Sequence, residues 1–398
     1  MNNQFLPRLP YGTRDFLPKE AKQKRMIENS LANLFSHWGY DEVVTPTFEY
    51  LETFVESAGA NIGQGLFKFF DKNNSILALR PDMTTPMARV AATRLKDNNS
   101  PVRLFYLTNV FRHEQAQVGR QCEFYQAGVE LLGAPEPAAD AEVIALAVEA
   151  MCEAGLSNFQ IGIGQVGFIN GITEEVALSP VERQRIKQCI ASRNLVGLDE
   201  SLATCRLGEE MQKLIRDIPL LHGGDEVISK VYRMVKNDIS RAALNNLVDI
   251  NRLLSSYGVG KYVNFDLGLI RDFDYYTGMV FEGYTPGLGF PLCGGGRYDN
   301  MVAAFGVDCP ATGFALGIER IMLALERQGI MPPTVVKDVY ISWAEGAQAE
   351  AVAIASKLRR EGRTVELALG FQSPEAAEKD RLAKEYNQLV YVNDKKDK

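Results

Sequence analysis

Gly313-Phe314-Ala315-Leu316-Gly317-Ile318-Glu319-Arg320 starts as small and apolar residues and passes, at Gly317, into a helical pattern that runs to Gly329. It reads as a strand (311–316) feeding a helix (318–328), with Arg320 in the helix's first turn. Two other segments set long polar side chains on strands or strand ends. They are Arg112-His113-Glu114 with Gln126 and Glu130, and Arg271 with Tyr275-Tyr276. The three predict a sheet from which these side chains leave into one cleft. Arginines in a cleft need carboxylate or phosphate partners, because their donor fork matches such oxygens and an unpaired buried charge is costly.

Working outward, 102–112 and 122–132 read as a long hairpin joined by the polar stretch 113–121. Before it, 75–80 reads as a strand and 86–95 as a helix with Met87, Val90, Ala91 and Leu95 inward. Pro18 opens a helix carrying Met26, Ile27, Leu31, Leu34 and Phe35 at helical spacing, and 42–46 reads as a strand stopped by Pro46. A helix is expected over 138–154. The stretch 156–260 reads as mostly helical, broken at Gly164, Gly171, Gly197 and Gly223-Gly224, and strands return at 262–267 and 278–284. Gly294-Gly295-Gly296 fits a tight turn or an anion cradle equally. Pro332-Pro333 marks a linker over 331–337. Beyond it, 338–392 alternates strand and helix as β-α-β-α-β, which predicts parallel strands covered by helices, ahead of a charged tail.

A length of 398 residues suggests about two domains, and 46 % hydrophobic with 23 % charged residues is ordinary for a globular chain. No window approaches the roughly 18 apolar residues of a membrane span, and the first residues show no signal pattern, so a cytoplasmic location is expected. Six scattered cysteines without a Cys-x-x-Cys predict free, mostly buried thiols. Three isolated histidines make a metal site unexpected. A net charge of −7 argues against a broad nucleic-acid footprint.

These motifs resemble the histidyl-tRNA synthetase family over nearly the whole chain. Pro10 to Pro18 is similar to that family's opening, Gly39 to Phe48 to the first class II motif, Phe111 to Gln126 to the second and Gly313 to Arg320 to the third. Arg271 to Tyr276 and Gly294 to Asp299 resemble its two histidine-reading motifs. The resemblance implies an α+β fold: a class II synthetase-like antiparallel sheet flanked by helices over 1–330, with a helical insertion at about 165–258.

Several departures resemble a sister family, the regulatory subunits of ATP phosphoribosyltransferase. Arg80-Pro81-Asp82-Met83-Thr84 stands where synthetases have Arg-Pro-Glu-Gly-Thr. Glu114-Gln115-Ala116-Gln117 and Gly119-Arg120-Gln121-Cys122 stand where they have Glu-Arg-Pro-Gln and Gly-Arg-Tyr-Arg. Tyr276 to Tyr284 also resembles the regulatory family. Residues 338–398 are about sixty where an anticodon-binding domain takes roughly a hundred, so a truncated version of that domain is expected.

The resemblance implies a site for free histidine and no catalysis or cofactor of the chain's own. Asp82, with Met83, Thr84 and Gln126, would meet the ammonium. Arg112, and Arg271 as an alternative, would take the carboxylate. Glu130 and Tyr276 would bind the ring nitrogens, with Tyr275 and Tyr298 as walls. Gln126 and Glu130 share one strand face, and Gly128 between them would leave room for the ligand. Arg120 and Arg320 would remain from a phosphate site. Read alone, Asp82 also fits a helix cap, Glu130 a solvent-facing residue and Arg320 a local ion pair. Implied partners are a short-form catalytic subunit, in an assembly of four and four, and a second copy paired through the first motif. An active synthetase making histidyl-adenylate, for which tRNA would be a partner, is the rival reading, and a module for another amino acid or protein is a third.

Overall fold

The computed structural model describes residues 7–58, 63, 65–96, 101–113, 121–176, 178–205, 207–271, 275–330 and 337–393. They fall into two compact units, Met1–Ile330 and Met331–Lys398. Of the expected linker at 331–337, only Lys337 is among the described residues, and it opens a strand.

The first unit begins with α1 (Pro18–His37), whose Leu31 and Phe35 are fully buried, followed by β1 (Asp41–Glu42). Next come β2 (Phe48–Tyr50), α2 (Leu51–Ala58), β3 (Lys68–Phe70), β4 (Ile76–Leu79) and α3 (Thr84–Arg94). The hairpin β5 (Val102–Phe111) and β6 (Glu123–Leu132) leads into α4 (Pro137–Glu153) and β7 (Gln160–Gln165). The helices α5 (Val166–Glu175), α6 (Pro180–Ala191), α7 (Leu195–Ala203) and α8 (Glu209–Asp217) follow. After the short β8 (His222–Gly223) come α9 (Asp225–Tyr232) and α10 (Asp238–Ser256). The chain then returns through β9 (Val263–Asp266), β10 (Met279–Tyr284), β11 (Cys293–Arg297), α11 (Asn300–Ala303), β12 (Ala311–Gly317) and α12 (Ile318–Arg327).

Nine of these strands form one sheet in the order β1-β5-β6-β12-β11-β10-β7-β9-β8. All pairs are antiparallel except β1 with β5 and β7 with β9. One face lies against α4, which is apolar on nearly every side and packs between the sheet and α1 and α10. The opposite face carries the residues that cross-strand register aligns: Gln126, Gly128 and Glu130 with Gly317, Ala315 and Gly313, then Gly294 and Gly296, then Val280 and Glu282. The site is built on that face.

The α+β sheet and the hairpin agree with the sequence reading, while several local expectations need correction. Residues 160–165 form a strand inside the stretch expected to be mostly helical. Ile161 and Ile163 are buried on one face. On the other, a Cβ at Gly164 would lie 2.9 Å from the Asp266 carbonyl oxygen, so glycine marks close packing rather than a helix break. The triple glycine is a central strand, β11, and neither a turn nor a cradle. The strand expected over 42–46 is only Asp41–Glu42, because Arg80 Nη1 donates to the carbonyls of Thr45 and Pro46 at 3.1 and 3.2 Å. In α3 the inward residues are Met87, Ala88, Ala91 and Ala92, with Val90 and Leu95 half-exposed. Of the six free cysteines, only Cys122, Cys205 and Cys293 are buried.

The second unit holds β13 (Lys337–Trp343), α13 (Gln348–Arg360), β14 (Val365–Leu367), α14 (Pro374–Ala383) and β15 (Tyr386–Val392). Its strands are parallel in the order β14-β13-β15, as the alternation predicts. Val339, Ile341, Ala351 and Ala355 form its core.

Candidate functional site

On the open face of the large sheet lies a cavity of about 710 Å³, mouth included. Asp82, Thr84, Arg112, Gln126, Glu130, Arg271, Tyr275, Tyr276, Tyr298 and Arg320 all line it. The turn into α3 supplies the first two and β6 supplies Gln126 and Glu130. Arg112 and Tyr298 follow directly on β5 and β11. Met83 does not line it. Its side chain is 1 % exposed and packs in a core with Met87 and Tyr106. Arg120 lies outside the described residues.

The cavity presents buried acceptors. Asp82 Oδ1 takes the Thr85 N–H at 3.5 Å, so the cap reading holds for one oxygen. Oδ2 is buried with no hydrogen-bond partner among the described residues, and so is Gln126 Oε1. Burial raises the Asp82 pKa, while Arg112 and the N–H groups of Thr85 and Thr84 pull it back down. Such orphaned buried acceptors are costly unless a donor meets them.

Three arginines line the same cavity. Arg112 Nε donates to the Pro81 carbonyl at 2.9 Å, and its guanidinium lies 5.2 Å from the Phe124 ring centre. Arg271 Nη1 donates to the Phe281 carbonyl at 3.2 Å and pairs with Glu282 at 3.1 Å. Arg271 lies flat on β11, where a Cβ at Gly294 would sit 1.7 Å from Nη1. Arg320 Nη1 donates to the Pro291 carbonyl at 2.8 Å, and the guanidinium is 5.3 Å from the Phe290 ring centre.

Glu130, which lines the same cavity, is 2 % exposed and accepts a hydrogen bond from the Tyr298 hydroxyl. Burial drives its pKa up to about 8, against the pull of the bonds from Tyr298 and Thr84. Glu130 is thus buried, not solvent-facing, and largely protonated at neutral pH. Its room comes from Gly313, where a Cβ would lie 1.8 Å from Oε2. The rings of Tyr275 and Tyr276 are 4.7 Å apart and both line the cavity, with Tyr298 edge-on to Tyr275 at 6.1 Å.

Two residues were missed by sequence reasoning. Tyr106 lines the cavity and fills the space expected to stay open beside Gly128, where a Cβ would lie 2.4 Å from its hydroxyl. The hairpin register pairs Tyr106 with Gly128, and counting across it would have found the residue. Glu282 was missed because its partner, Arg271, lies eleven positions away across a loop. Arg297, inside the glycine motif, points to the opposite face. There it pairs with the buried Asp140 at 2.9 Å and with Asp299 at 3.1 Å, which fixes the strand end that carries Tyr298. His113 is structural: its N–H donates to the Gly65 carbonyl, and its ring packs 5.3 Å from Phe67. Among the described residues no group of three or more His, Cys, Asp or Glu could hold a metal, and no helix is long and apolar enough to cross a membrane.

The histidyl-tRNA synthetase family model matches residues 12–321. A protein of Desulforamulus reducens named ATP phosphoribosyltransferase regulatory subunit is 42 % identical over 393 residues, covering 99 % of this chain and 98 % of that one. One of the same name from Moorella thermoacetica is 47 % identical over 316 residues, 79 % of this chain and 81 % of its own. A crystal structure from Bacillus halodurans, described as an ATP phosphoribosyltransferase regulatory subunit/histidyl-tRNA synthetase, superposes with a TM-score of 0.87 at 36 % identity. It covers 98 % of this chain and 99 % of its own. The chain therefore has the histidyl-tRNA synthetase fold and belongs to the family of ATP phosphoribosyltransferase regulatory subunits.

Proposed function

We propose that the cavity binds free histidine, and that this chain, without chemistry of its own, reports histidine to a catalytic ATP phosphoribosyltransferase subunit at the first step of histidine biosynthesis. The observation that carries this reading is the pair of orphaned buried acceptors, Asp82 Oδ2 and Gln126 Oε1, in a cavity that Glu130 also lines. An ammonium meets the first pair, and the carboxylate turns to Arg271 and Arg112. The imidazole reaches Glu130 and Tyr276, one nitrogen taking a proton and the other giving one. Asp82, Thr84, Gln126, Glu130, Tyr275, Tyr276 and Tyr298 act together as this binding set. Met83 contributes by packing behind them.

For histidine to slow the partner, it must bind one arrangement of the complex better than another, by about 1–3 kcal/mol in a typical case. A second copy pairs through the first motif. Phe48, Tyr50 and Phe69 form a half-exposed aromatic face on the small sheet β2-β4-β3, and Val44, within the first motif, is 87 % exposed; both favour such a contact. An assembly of four regulatory and four catalytic chains follows from the same reading. The test is co-purification with a short-form catalytic subunit and assay of phosphoribosyl transfer with and without histidine. Activation by this chain and inhibition by histidine support the proposal, and neither effect is expected if it is wrong.

One observation favours a second reading: Arg112, Arg271 and Arg320 share the cavity, so three cations face any phosphate that enters. Histidine-dependent exchange of pyrophosphate into ATP by the pure chain supports an active synthetase. Its absence supports a sensor.

A further inference from the structure

The Arg271 guanidinium lies 5.6 Å from the Tyr276 ring centre, and its two ends differ in their contacts. Its Nη1 is engaged by Phe281 and Glu282, while Nε is buried and without a hydrogen-bond partner among the described residues. In a guanidinium, Nε–H and one Nη2–H project in parallel from a single edge, the fork that takes a carboxylate through two bonds. Nη1 lies outside that edge. Glu282 thus balances the charge at Nη1, outside the edge that carries the buried Nε.

Glu282 is itself tethered by the Tyr284 hydroxyl, which donates to its other oxygen. Both side chains line a second, open cavity between the sheet and the residues following α6, near Arg193 and His222. Glu282 therefore lines the second cavity while its partner Arg271 lines the first.

We propose that Glu282 sets how strongly the histidine cavity selects for a free carboxylate, acting as an internal counter-charge on Arg271. This rests on the histidine reading given above. In the ligand-free protein, Glu282 compensates a cation that would be costly to bury alone. Once a ligand carboxylate reaches the fork, two anions share one guanidinium, and the resident one weakens the hold on the newcomer. Glu282 is a positioning and tuning residue, since its contact is with Arg271 rather than with the ligand. A sensor gains from this arrangement because its ligand must leave as readily as it arrives.

Calorimetric titration of the full chain with histidine and with histidinol, which has a hydroxymethyl group in place of the carboxylate, tests the proposal. Glu282→Gln keeps the shape and an acceptor for Nη1 but removes the charge. It is expected to tighten histidine binding about tenfold and to change histidinol binding less than about twofold. Glu282→Asp, which keeps the charge, is expected to stay near wild type. A side chain that is merely structural would weaken both ligands together. Histidine binding by Glu282→Gln that is no tighter than wild type, or an equal gain for histidinol, overturns the inference while the histidine reading stands. Absence of histidine binding by the wild type overturns both. If Glu282→Gln does not fold, Tyr284→Phe carries the test from a 39 % exposed position. Loss of the tethering bond concentrates charge on Arg271, so histidine is expected to weaken about two- to threefold and histidinol to stay unchanged. No change in histidine binding there contradicts the proposal.

Discussion

The Tyr298 hydroxyl donates to Glu130 on the floor of the cavity, inside a site where burial holds the carboxyl at a pKa of about 8. The usual value is 4.5, so the folded protein keeps a proton that the unfolded chain releases over that interval. The stabilising contribution is present below about 4.5 and is lost as pH rises through about 8. Asp82 is shifted in the same direction. The ligand-free protein is therefore expected to lose melting temperature between about pH 5 and pH 9, and Glu130→Gln to flatten much of that loss. Identical slopes for the two proteins in thermal melts would show that Glu130 does not carry the effect.

Asp82→Asn keeps the cap on α3 and removes the charge that meets an ammonium. Removing one partner of a buried charged pair costs about 2–5 kcal/mol, so histidine binding is expected to weaken at least about thirtyfold. Imidazole propionate, which lacks the ammonium, is expected to bind the variant no worse than the wild type. Calorimetry with both ligands checks this, and equal weakening of the two would point to a collapsed site.

Gly313→Ala places a methyl group where Glu130 Oε2 now lies and also crowds the Val129 carbonyl oxygen, 2.5 Å away. Overpacking of this kind costs about 1–3 kcal/mol of stability. The displaced Glu130 is expected to lower histidine affinity by about tenfold or more, in addition to a lower denaturation midpoint. An unchanged affinity would mean that Glu130 can move without consequence for the ligand.

Asp140→Asn leaves the buried Arg297 with a weaker partner on the far face of the sheet. Both side chains are nearly inaccessible, 8 % and 1 % exposed, so a loss of about 3 kcal/mol is expected in urea unfolding. Histidine affinity of the folded fraction is expected to fall only modestly, because the pair positions the end of β11 and does not touch the cavity. A large loss of binding with full stability would reverse these roles.

Much of this site is legible in the sequence because strands impose a period of two. Gln126 and Glu130 had to share a face, and the strand-to-helix turn at Gly317 had to bring Arg320 to the end of the sheet. The C-terminal alternation of apolar strands with amphipathic helices likewise left only a parallel sheet. What stayed hidden depended on packing between distant segments. Gly164 and Gly294 look like a break and a turn when read alone, but each is a place where another segment lies against the sheet, the 266–269 backbone and Arg271. Gly313 makes room for the side chain of Glu130 on the neighbouring strand. Arg80, 3 % exposed, interrupts a strand that its neighbours would otherwise continue, and nothing local to residues 42–46 announces it. Met83 illustrates the reverse error, since adjacency to Asp82 in the chain does not make it a neighbour of the ligand.

The most direct test of the central claim is a calorimetric titration of free histidine into the wild-type chain and into Glu130→Ala, each with the catalytic subunit's assembly checked by gel filtration. Saturable binding to the wild type, none to the variant and intact assembly in both are the predicted results. A variant that binds histidine as the wild type does, or a wild type that takes up none, would contradict the account.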